Sequence, residues 1–140
     1  MRFMIIRKAD AETEAGVMPS TELIEQMTSY NEQLAKAGVL VGGDGLAPSR
    51  RGARISFSNG KPSIVDGPFA ESKELIAGFT LIEVGSYEEA LDWVKQWPPL
   101  DGHGNAQLEL RQLASAEDFG EAFTPELQAR EQAMRDKLEG

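Results

Sequence analysis

The apolar and polar positions of this chain predict strands and helices that alternate along it. Phe3 to Ile6 is a continuous apolar run between Arg2 and Arg7, which predicts a strand that is buried on both faces. After Pro19-Ser20-Thr21, apolar residues recur at intervals of three and four, which predicts a helix that ends at Gly38. The chain is therefore predicted to begin with a strand and a helix.

The middle of the chain is predicted to hold a short strand and a β-hairpin. Residues 10–18 show no regular period and are predicted to form a polar loop. Val39 to Val41 is an apolar run that predicts the second strand. Asn59-Gly60 separates two strand-like runs, Ala53 to Ser58 and Lys61 to Val65, and this dipeptide favours the positive φ angles of a tight hairpin turn.

The second half of the chain predicts a strand, a helix, a strand and a last helix. Phe79 to Val84 is a strand that is mainly apolar on both faces, and Ser86 with Glu89 predicts a capping box at the start of a helix. Gln107 to Leu113 alternates between apolar and charged residues, as a strand does. Thr124-Pro125-Glu126 predicts the start of a C-terminal helix that has few apolar residues.

This order predicts an α+β fold. Residues 1–114 are expected to form a ferredoxin-like βαββαβ sandwich with an added hairpin, and residues 115–140 a C-terminal helical tail. Because two helices can cover only one face of the sheet, the apolar residues of the opposite face predict a homodimer packed sheet to sheet.

Composition and charge narrow the classes of function. Acidic residues outnumber basic ones by 23 to 14, giving a net charge of -9, which argues against binding to nucleic-acid phosphates. Arg50, Arg51 and Arg54 form a local basic cluster, interpreted as a solvated loop or, alternatively, as an anion site. The lack of cysteine excludes disulfides and thiol nucleophiles. Because the apolar runs are too short for a signal peptide or a membrane span, we expect no membrane partner and a cytoplasmic location.

The stretch Asp66-Gly67-Pro68-Phe69 is the first candidate site, because it predicts a sharp turn between two strands. Phe69 is expected to anchor the turn in the core and to hold Asp66 in place. If burial raises the pKa of Asp66, this carboxylate can act as a general acid or base. The alternative is that Asp66 accepts backbone N–H groups within its own turn.

Charged residues elsewhere are candidates for ligand binding. Glu71, Lys73 and Glu74 follow the turn and either bind a polar ligand or form a solvated surface. Arg111 shares a strand face with Glu109 and either clamps a carboxylate substrate or pairs with a neighbouring carboxylate.

His103 is the only histidine of the chain, and it lies between two glycines. It is a candidate catalytic base, with a solvent-exposed loop residue as the alternative. A metal site that needs two or more histidines is excluded, and we expect neither a metal nor a cofactor. No Gly-x-Ser-x-Gly motif is present, so a serine-hydrolase triad lacks its nucleophile motif.

The run from Val65 to Glu74, the segments Ala37-Gly38-Val39-Leu40 and Gly45-Leu46, and Leu108-Glu109-Leu110-Arg111 resemble the DGPF-domain branch of the YCII-related proteins. The resemblance covers residues 1–114 and implies a dimeric α/β-barrel fold. It also implies relatives that include a dehydrochlorinase, a histidine–aspartate pair as their proposed active site, and genes beside extracytoplasmic-function sigma factors. The first helix of this chain carries Met27 and no histidine where that histidine is expected.

Two hypotheses follow for function. The first is a cofactor-independent lyase or isomerase that uses acid–base chemistry on a small polar or aromatic molecule, in a cleft near Asp66. The second is a non-enzymatic ligand-binding or regulatory module that works with a sigma factor. A shifted carboxylate pKa in a deep pocket favours the first, whereas a shallow cleft with an exposed apolar patch favours the second.

Overall fold

The structure, a computed structural model, describes residues 1–139 and contains a four-stranded antiparallel sheet covered by two helices. The α+β class that the sequence predicts is confirmed. The sheet strands are β1 (Arg2–Lys8), β2 (Leu40–Gly45), β5 (Ile76–Glu83) and β6 (Leu108–Gln112), and a separate hairpin is made of β3 (Ala53–Ser58) and β4 (Lys61–Asp66). The sheet has the order β2-β5-β1-β6. The helices are α1 (Ala11–Ala15), α2 (Thr21–Lys36), α3 (Tyr87–Val94) and α4 (Pro125–Glu139).

The core lies between one face of the sheet and the helices α2 and α3. Alternate strand residues point to this side, where the apolar side chains of β1 and β5 are buried and Leu108 and Leu110 of β6 are partly buried. Tyr30 of α2 donates a hydrogen bond to the carbonyl of Trp93 in α3 at 2.7 Å, so the two helices are joined as well as packed. The buried apolar residues are Phe3, Ile5, Tyr30, Leu34, Val39, Ile82, Val84 and Ala90.

The other sheet face carries no buried apolar residue. Met4 pairs with Leu81 across β1 and β5, and Ile6 pairs with Phe79, so these four half-buried side chains form an apolar patch. We call this surface the open sheet face. The prediction that β1 is buried on both faces is therefore confirmed only for the side that faces the helices, because Met4 and Ile6 on the other side are half-buried.

Local capping explains where the helices begin. Ser20 and Ser86 accept the backbone N–H groups of Leu23 and Glu89 at 3.1 Å, as N-cap residues do. The Glu89 side chain reaches back and accepts the N–H of Gly85 at 2.9 Å. The helix starts that the sequence predicts at these serines are therefore confirmed.

The polar loop predicted at residues 10–18 is wrong for its first half. Residues Ala11–Ala15 form α1, which begins with a capping box between Asp10 and Thr13 and ends at Gly16 with φ 75°. A helix of five residues is too short to show a hydrophobic period, and the periodic pattern therefore missed it.

The predicted hairpin is confirmed, with Asn59 at φ 51° and Gly60 at φ 78° in the turn. We call residues 53–66 the hairpin arm. Each residue of both its strands is exposed. The C-terminal helix starts at Pro125, as predicted, and none of its residues is buried. None of the helices within residues 1–139 combines the length and the apolar character that crossing a membrane requires.

Candidate functional site

Most of the candidate residues meet at one end of the sheet. Because neighbouring strands are antiparallel, the end of β1 lies beside the starts of β5 and β6, and the end of β2 lies there too. Backbone hydrogen bonds tie these segments together: Lys8 donates to Gln107 and Ala9 to Leu75, both at 2.9 Å. We call this region the loop end.

A buried ion pair anchors the loop end. Arg7 donates two hydrogen bonds to the carboxylate of Asp101, both at 2.9 Å, and the Trp97 indole donates a third at 2.8 Å. A further Arg7 nitrogen donates to Asp10 at 3.1 Å. The side chains of Arg7 and Asp101 are only 10% and 11% exposed. We call these four residues the Arg7 clamp.

The clamp shifts the pKa values of its members. Burial acts to raise the pKa of Asp101, but the hydrogen bonds from Arg7 and Trp97 and the Arg7 charge outweigh it, so the pKa lies below its ordinary value. The hydrogen bond with Asp101 raises the pKa of Arg7 against the effect of burial. The backbone N–H of Thr13 and the contact with Arg7 lower the pKa of Asp10. All three groups are therefore held in their charged forms.

The clamp fixes a loop that presents His103. The residues that follow Asp101 have left-handed backbone angles, with φ 63° at Gly102, 55° at His103 and 86° at Gly104. The His103 Nε2 atom lies 2.8 Å from the Glu12 Oε2 atom, and both side chains are exposed. Sequence reasoning proposed His103 without a partner, and the structure supplies Glu12 on α1.

Helix α1 is also hydrogen-bonded to the loop that contains Asp66. Glu14 accepts hydrogen bonds from the Ser49 backbone N–H and hydroxyl, and that hydroxyl accepts the Phe69 N–H at 3.0 Å. A Cβ atom on Gly67 would lie 1.8 Å from the Ser49 carbonyl oxygen, so only glycine fits there. Helix α1 thus contacts the His103 loop through Glu12 and the Asp66 loop through Glu14.

Asp66 itself is exposed and ends strand β4 opposite Ala53. Its carboxylate accepts no hydrogen bond from any residue in the described part of the chain, so the structure contains neither the burial nor the self-capped turn that the sequence suggested. Among these residues no hydrogen bond or ion pair joins Asp66 to His103 either.

Only some of the residues after the turn make side-chain contacts with the rest of the chain. Phe69 is half-buried, and the Arg54 guanidinium lies 4.0 Å from the centre of its ring. Arg54 also pairs with Glu71 at 3.7 Å. Lys73 and Glu74 are exposed and form no ion pair within residues 1–139. The charged run is therefore mostly a solvated surface around an anchored Phe69.

Arg111 lies away from the loop end. Its Nη1 atom lies 3.3 Å from Glu109 Oε2, and the two residues pair with Met4 and Ile6 across β1 and β6. Met4 precedes Lys8 by four residues, so Arg111 is about 13 Å from the loop end along the strand. The structure thus brings Arg111 to the edge of the open sheet face and does not bring it to Asp66.

Two of the open surface depressions on the described part of the chain have volumes of about 530 and 440 Å³. The first lies between residues 116–128 of the tail and the second on α2 between residues 29 and 36. Neither includes Asp66 or His103.

Sequence reasoning missed Glu12, Ser49 and the Arg7 clamp. The pair Asp10 and Thr13 was the available signal for α1, because an N-cap residue and its partner three positions later mark a helix start. No local pattern connects Arg7 with Asp101, which are 94 positions apart.

No set of three His, Asp or Glu side chains among residues 1–139 is arranged to hold a metal ion. An uncharacterized protein of Rhizobium meliloti (strain 1021) is 34% identical over 73 residues, which are 52% of this chain and 59% of that protein. The chain thus spans about three fifths of that relative's length.

A solved structure aligns with a TM-score of 0.44 and 16% identity, over 81% of this chain and 94% of the other. It is a 5-chloro-2-hydroxyhydroquinone dehydrochlorinase from Burkholderia phenoliruptrix AC1100 in complex with 2,5-dihydroxybenzoquinone, and at these values it transfers no function. The model of the YCII-related domain matches residues 1–114. The chain therefore belongs to the YCII-related family.

Proposed function

We propose that this chain is a small enzyme that performs cofactor-independent acid–base chemistry, as a lyase or isomerase, on a small polar or aromatic molecule. The observation that carries the proposal is the contact of 2.8 Å between His103 Nε2 and Glu12 Oε2 on a loop anchored by the Arg7 clamp. A histidine oriented by a carboxylate is the usual arrangement of a catalytic base.

The geometry assigns a role to each nitrogen of the imidazole. A carboxylate at Nε2 favours the tautomer in which Nε2 carries the hydrogen, which leaves the Nδ1 lone pair as the base. Nδ1 has no hydrogen-bond partner among the residues described. In the proposed reaction Nδ1 takes a proton from a substrate carbon and Glu12 stabilises the imidazolium. The solvent-exposed imidazolium exchanges this proton with water and then protonates the product or the leaving group.

The backbone of the loop supports a functional reading of His103. A non-glycine residue at φ 55° costs of order 1–3 kcal/mol, and such angles persist where the surroundings impose them. Here the buried Asp101 immediately before the loop is fixed by three hydrogen bonds of 2.8 to 2.9 Å. This imposed backbone angle supports the proposed role of His103.

In this proposal Asp66 is a second acid–base group on the neighbouring loop, which Ser49 and Glu14 fasten to the same helix as Glu12. Arg111 is assigned no proton transfer, because it lies on the open sheet face. Glu71, Lys73 and Glu74 remain candidate ligand contacts at the rim of the Asp66 loop.

The proposed assembly is a homodimer of ferredoxin-like protomers that forms a dimeric α/β barrel of the DGPF branch. The strand order β2-β5-β1-β6 with two helices on one face and a half-buried apolar patch on the other supports it. We further propose that residues 1–114 are the domain, that residues 115–140 are a helical tail, and that the protein works in the cytoplasm.

Hydrogen–deuterium exchange tests the enzymatic proposal without knowledge of the product. A panel of small carbonyl compounds and hydroxylated aromatic compounds is incubated in D₂O with the wild type, and proton NMR follows the loss of C–H signals. We expect exchange into at least one compound, and His103→Gln should reduce its rate by about 10²- to 10⁴-fold. Glu12→Gln should give a smaller loss, because it removes only the orientation of the imidazole.

The matched control is Glu88→Gln, which changes an exposed carboxylate at the start of α3, away from the loop end. Its exchange rate should equal that of the wild type. An unchanged rate in His103→Gln would sink the proposed role of this histidine.

A second candidate function is a ligand-binding or regulatory module that works with an extracytoplasmic-function sigma factor. The exposed apolar residues of the hairpin arm and the openness of the loop end in one protomer favour it. Its test is co-purification with a sigma factor encoded beside the gene. A stable complex, together with no exchange for any compound of the panel, would replace the first proposal by this one.

A further inference from the structure

We propose that the hairpin arm docks on a second copy of this chain, with its apolar face against the acidic body of that copy. This inference rests on the homodimer of the proposed function but does not depend on the enzymatic activity.

One face of the arm is apolar from its middle to its tip, and Ala53 and Asp66 lie on this face at the base. Ile55 stands opposite Ile64, and Phe57 stands opposite Pro62, so the four side chains share a face. Ile55, Ile64 and Phe57 are 53%, 67% and 72% exposed. The opposite face is mainly polar and carries one apolar residue, Val65, beside Arg54, Lys61 and three serines. This alternation is the pattern of a strand pair that buries one side.

Residues 1–139 leave this face of the arm exposed. The two strands pair only with each other, and the arm joins the body at its base, where Gly67 donates to the Gly52 carbonyl at 2.9 Å and Arg54 contacts Phe69. A two-stranded hairpin is at best marginally stable alone in water. The apolar face therefore needs a surface from outside the chain.

The charge distribution along the chain indicates which surface covers the apolar face of the arm. Residues 45–65 contain four basic side chains and no acidic one, a charge of +4. Because the whole chain carries -9, the remainder carries -13. The arm together with the segment that leads into it is thus basic, whereas the rest of the chain is acidic, and a second copy supplies that acidic surface. A second copy is thus complementary in charge and in polarity.

Symmetry lets both arms be covered at once. In a twofold dimer the arm of one protomer contacts the body of its partner, and the reverse contact is identical, so the assembly closes at two copies. Each six-residue strand spans about 20 Å, which is long enough to cross several strands of a neighbouring sheet.

The first experiment compares Phe57→Asp with Ser56→Asp by sedimentation velocity over a range of protein concentrations. Both variants add one negative charge to the same exposed strand, but on opposite faces. We expect Phe57→Asp to raise the dissociation constant of the dimer by about 30-fold or more, and Ser56→Asp to raise it far less. Because neither side chain is buried in the protomer, circular dichroism should show both variants folded.

The second experiment asks which molecule the arm contacts. The chain has no cysteine, so Lys61→Cys places a unique thiol near the arm tip. A thiol–amine crosslinker is applied to a mixture of ¹⁴N- and ¹⁵N-labelled protein, and mass spectrometry identifies the crosslinked peptides. We expect mixed-isotope peptides that join residue 61 to the body of another copy.

The outcomes distinguish a failure of the arm contact from a failure of the proposed homodimer. A dimer that survives Phe57→Asp as well as it survives Ser56→Asp overturns the arm contact and leaves a sheet-to-sheet dimer standing. Crosslinks within single chains only also overturn it. A monomeric wild type overturns the arm contact and the proposed homodimer together. None of these three outcomes affects the deuterium-exchange test of His103.

Discussion

The replacement Asp101→Asn tests the Arg7 clamp directly. The variant keeps the shape of the side chain but removes its charge, so Arg7 loses its main counter-ion inside the protein. Two hydrogen bonds of 2.9 Å from Arg7 and one of 2.8 Å from Trp97 converge on this carboxylate, and both members of the ion pair are nearly inaccessible to water. The fold therefore depends on this charge more than on any surface carboxylate.

The size of the loss follows from the burial of the pair. Breaking a buried ion pair by removing one partner typically costs about 3–5 kcal/mol, because an uncompensated charge is left behind. Arg7 retains Asp10 at 3.1 Å and the Lys8 carbonyl at 2.6 Å as acceptors. We therefore expect a loss at the lower end, about 3 kcal/mol in the free energy of unfolding.

Urea denaturation at a single protein concentration measures this loss, since association couples stability to concentration. The matched control is Asp92→Asn, an exposed aspartate on α3, which should stay within about 0.5 kcal/mol of the wild type. The double variant Arg7→Met with Asp101→Leu should recover part of the loss, because it removes both charges. A loss below about 1 kcal/mol in Asp101→Asn would refute the reasoning, since the pair would then contribute no more than a surface ion pair.

Two further predictions concern the carboxylates. The pKa values of Asp101 and Asp10 are lowered in the folded state, so both ionised carboxylates stabilise the fold. This stabilisation is present above the ordinary aspartate pKa near 3.8 and is lost as the pH falls through the lower pKa values of the folded state. Urea titrations between pH 5 and pH 2 should therefore show a steeper loss of stability for the wild type than for Asp101→Asn, and equal slopes would contradict the lowered pKa. Asp66→Ala should leave the urea midpoint unchanged, because that carboxylate accepts no hydrogen bond in the described chain; a clear drop would show that it caps its own turn.

The sequence predicted those parts of the fold that obey local rules. Serine caps, the Asn59-Gly60 turn and the alternation along β1 and β6 each depend on a few neighbouring residues, and the structure has all of them where the pattern placed them. Gly43 also obeys a local rule, because glycine within a strand favours close approach of a neighbouring backbone. A Cβ atom there would lie 2.6 Å from the Phe79 carbonyl oxygen.

The candidate site was predicted less well because its contacts join distant parts of the chain. His103 and Glu12 are 91 positions apart, and Arg7 and Asp101 are 94 apart. The alternation of β6 predicted that Arg111 shares a face with Glu109, but only the strand register shows that this is the open sheet face, away from the loop end. Charge type and spacing identify candidate groups, but only the topology decides which of them meet.

The run from Asp66 to Phe69 is the point at which the two proposed roles of the chain meet. Asp66 is the last residue of the hairpin arm, and Phe69, three residues later, is bonded through Ser49 to the helix that carries Glu12. Gly67 packs against the Ser49 carbonyl with no room for a side chain, so the connection between the arm and the loop end is short and tightly packed. A second copy that holds the arm would therefore also restrain the Asp66 loop and limit access of water to the His103 side of the site. This gives a physical reason why the most distinctive stretch of the sequence lies between an exposed hairpin and a site rather than within either of them.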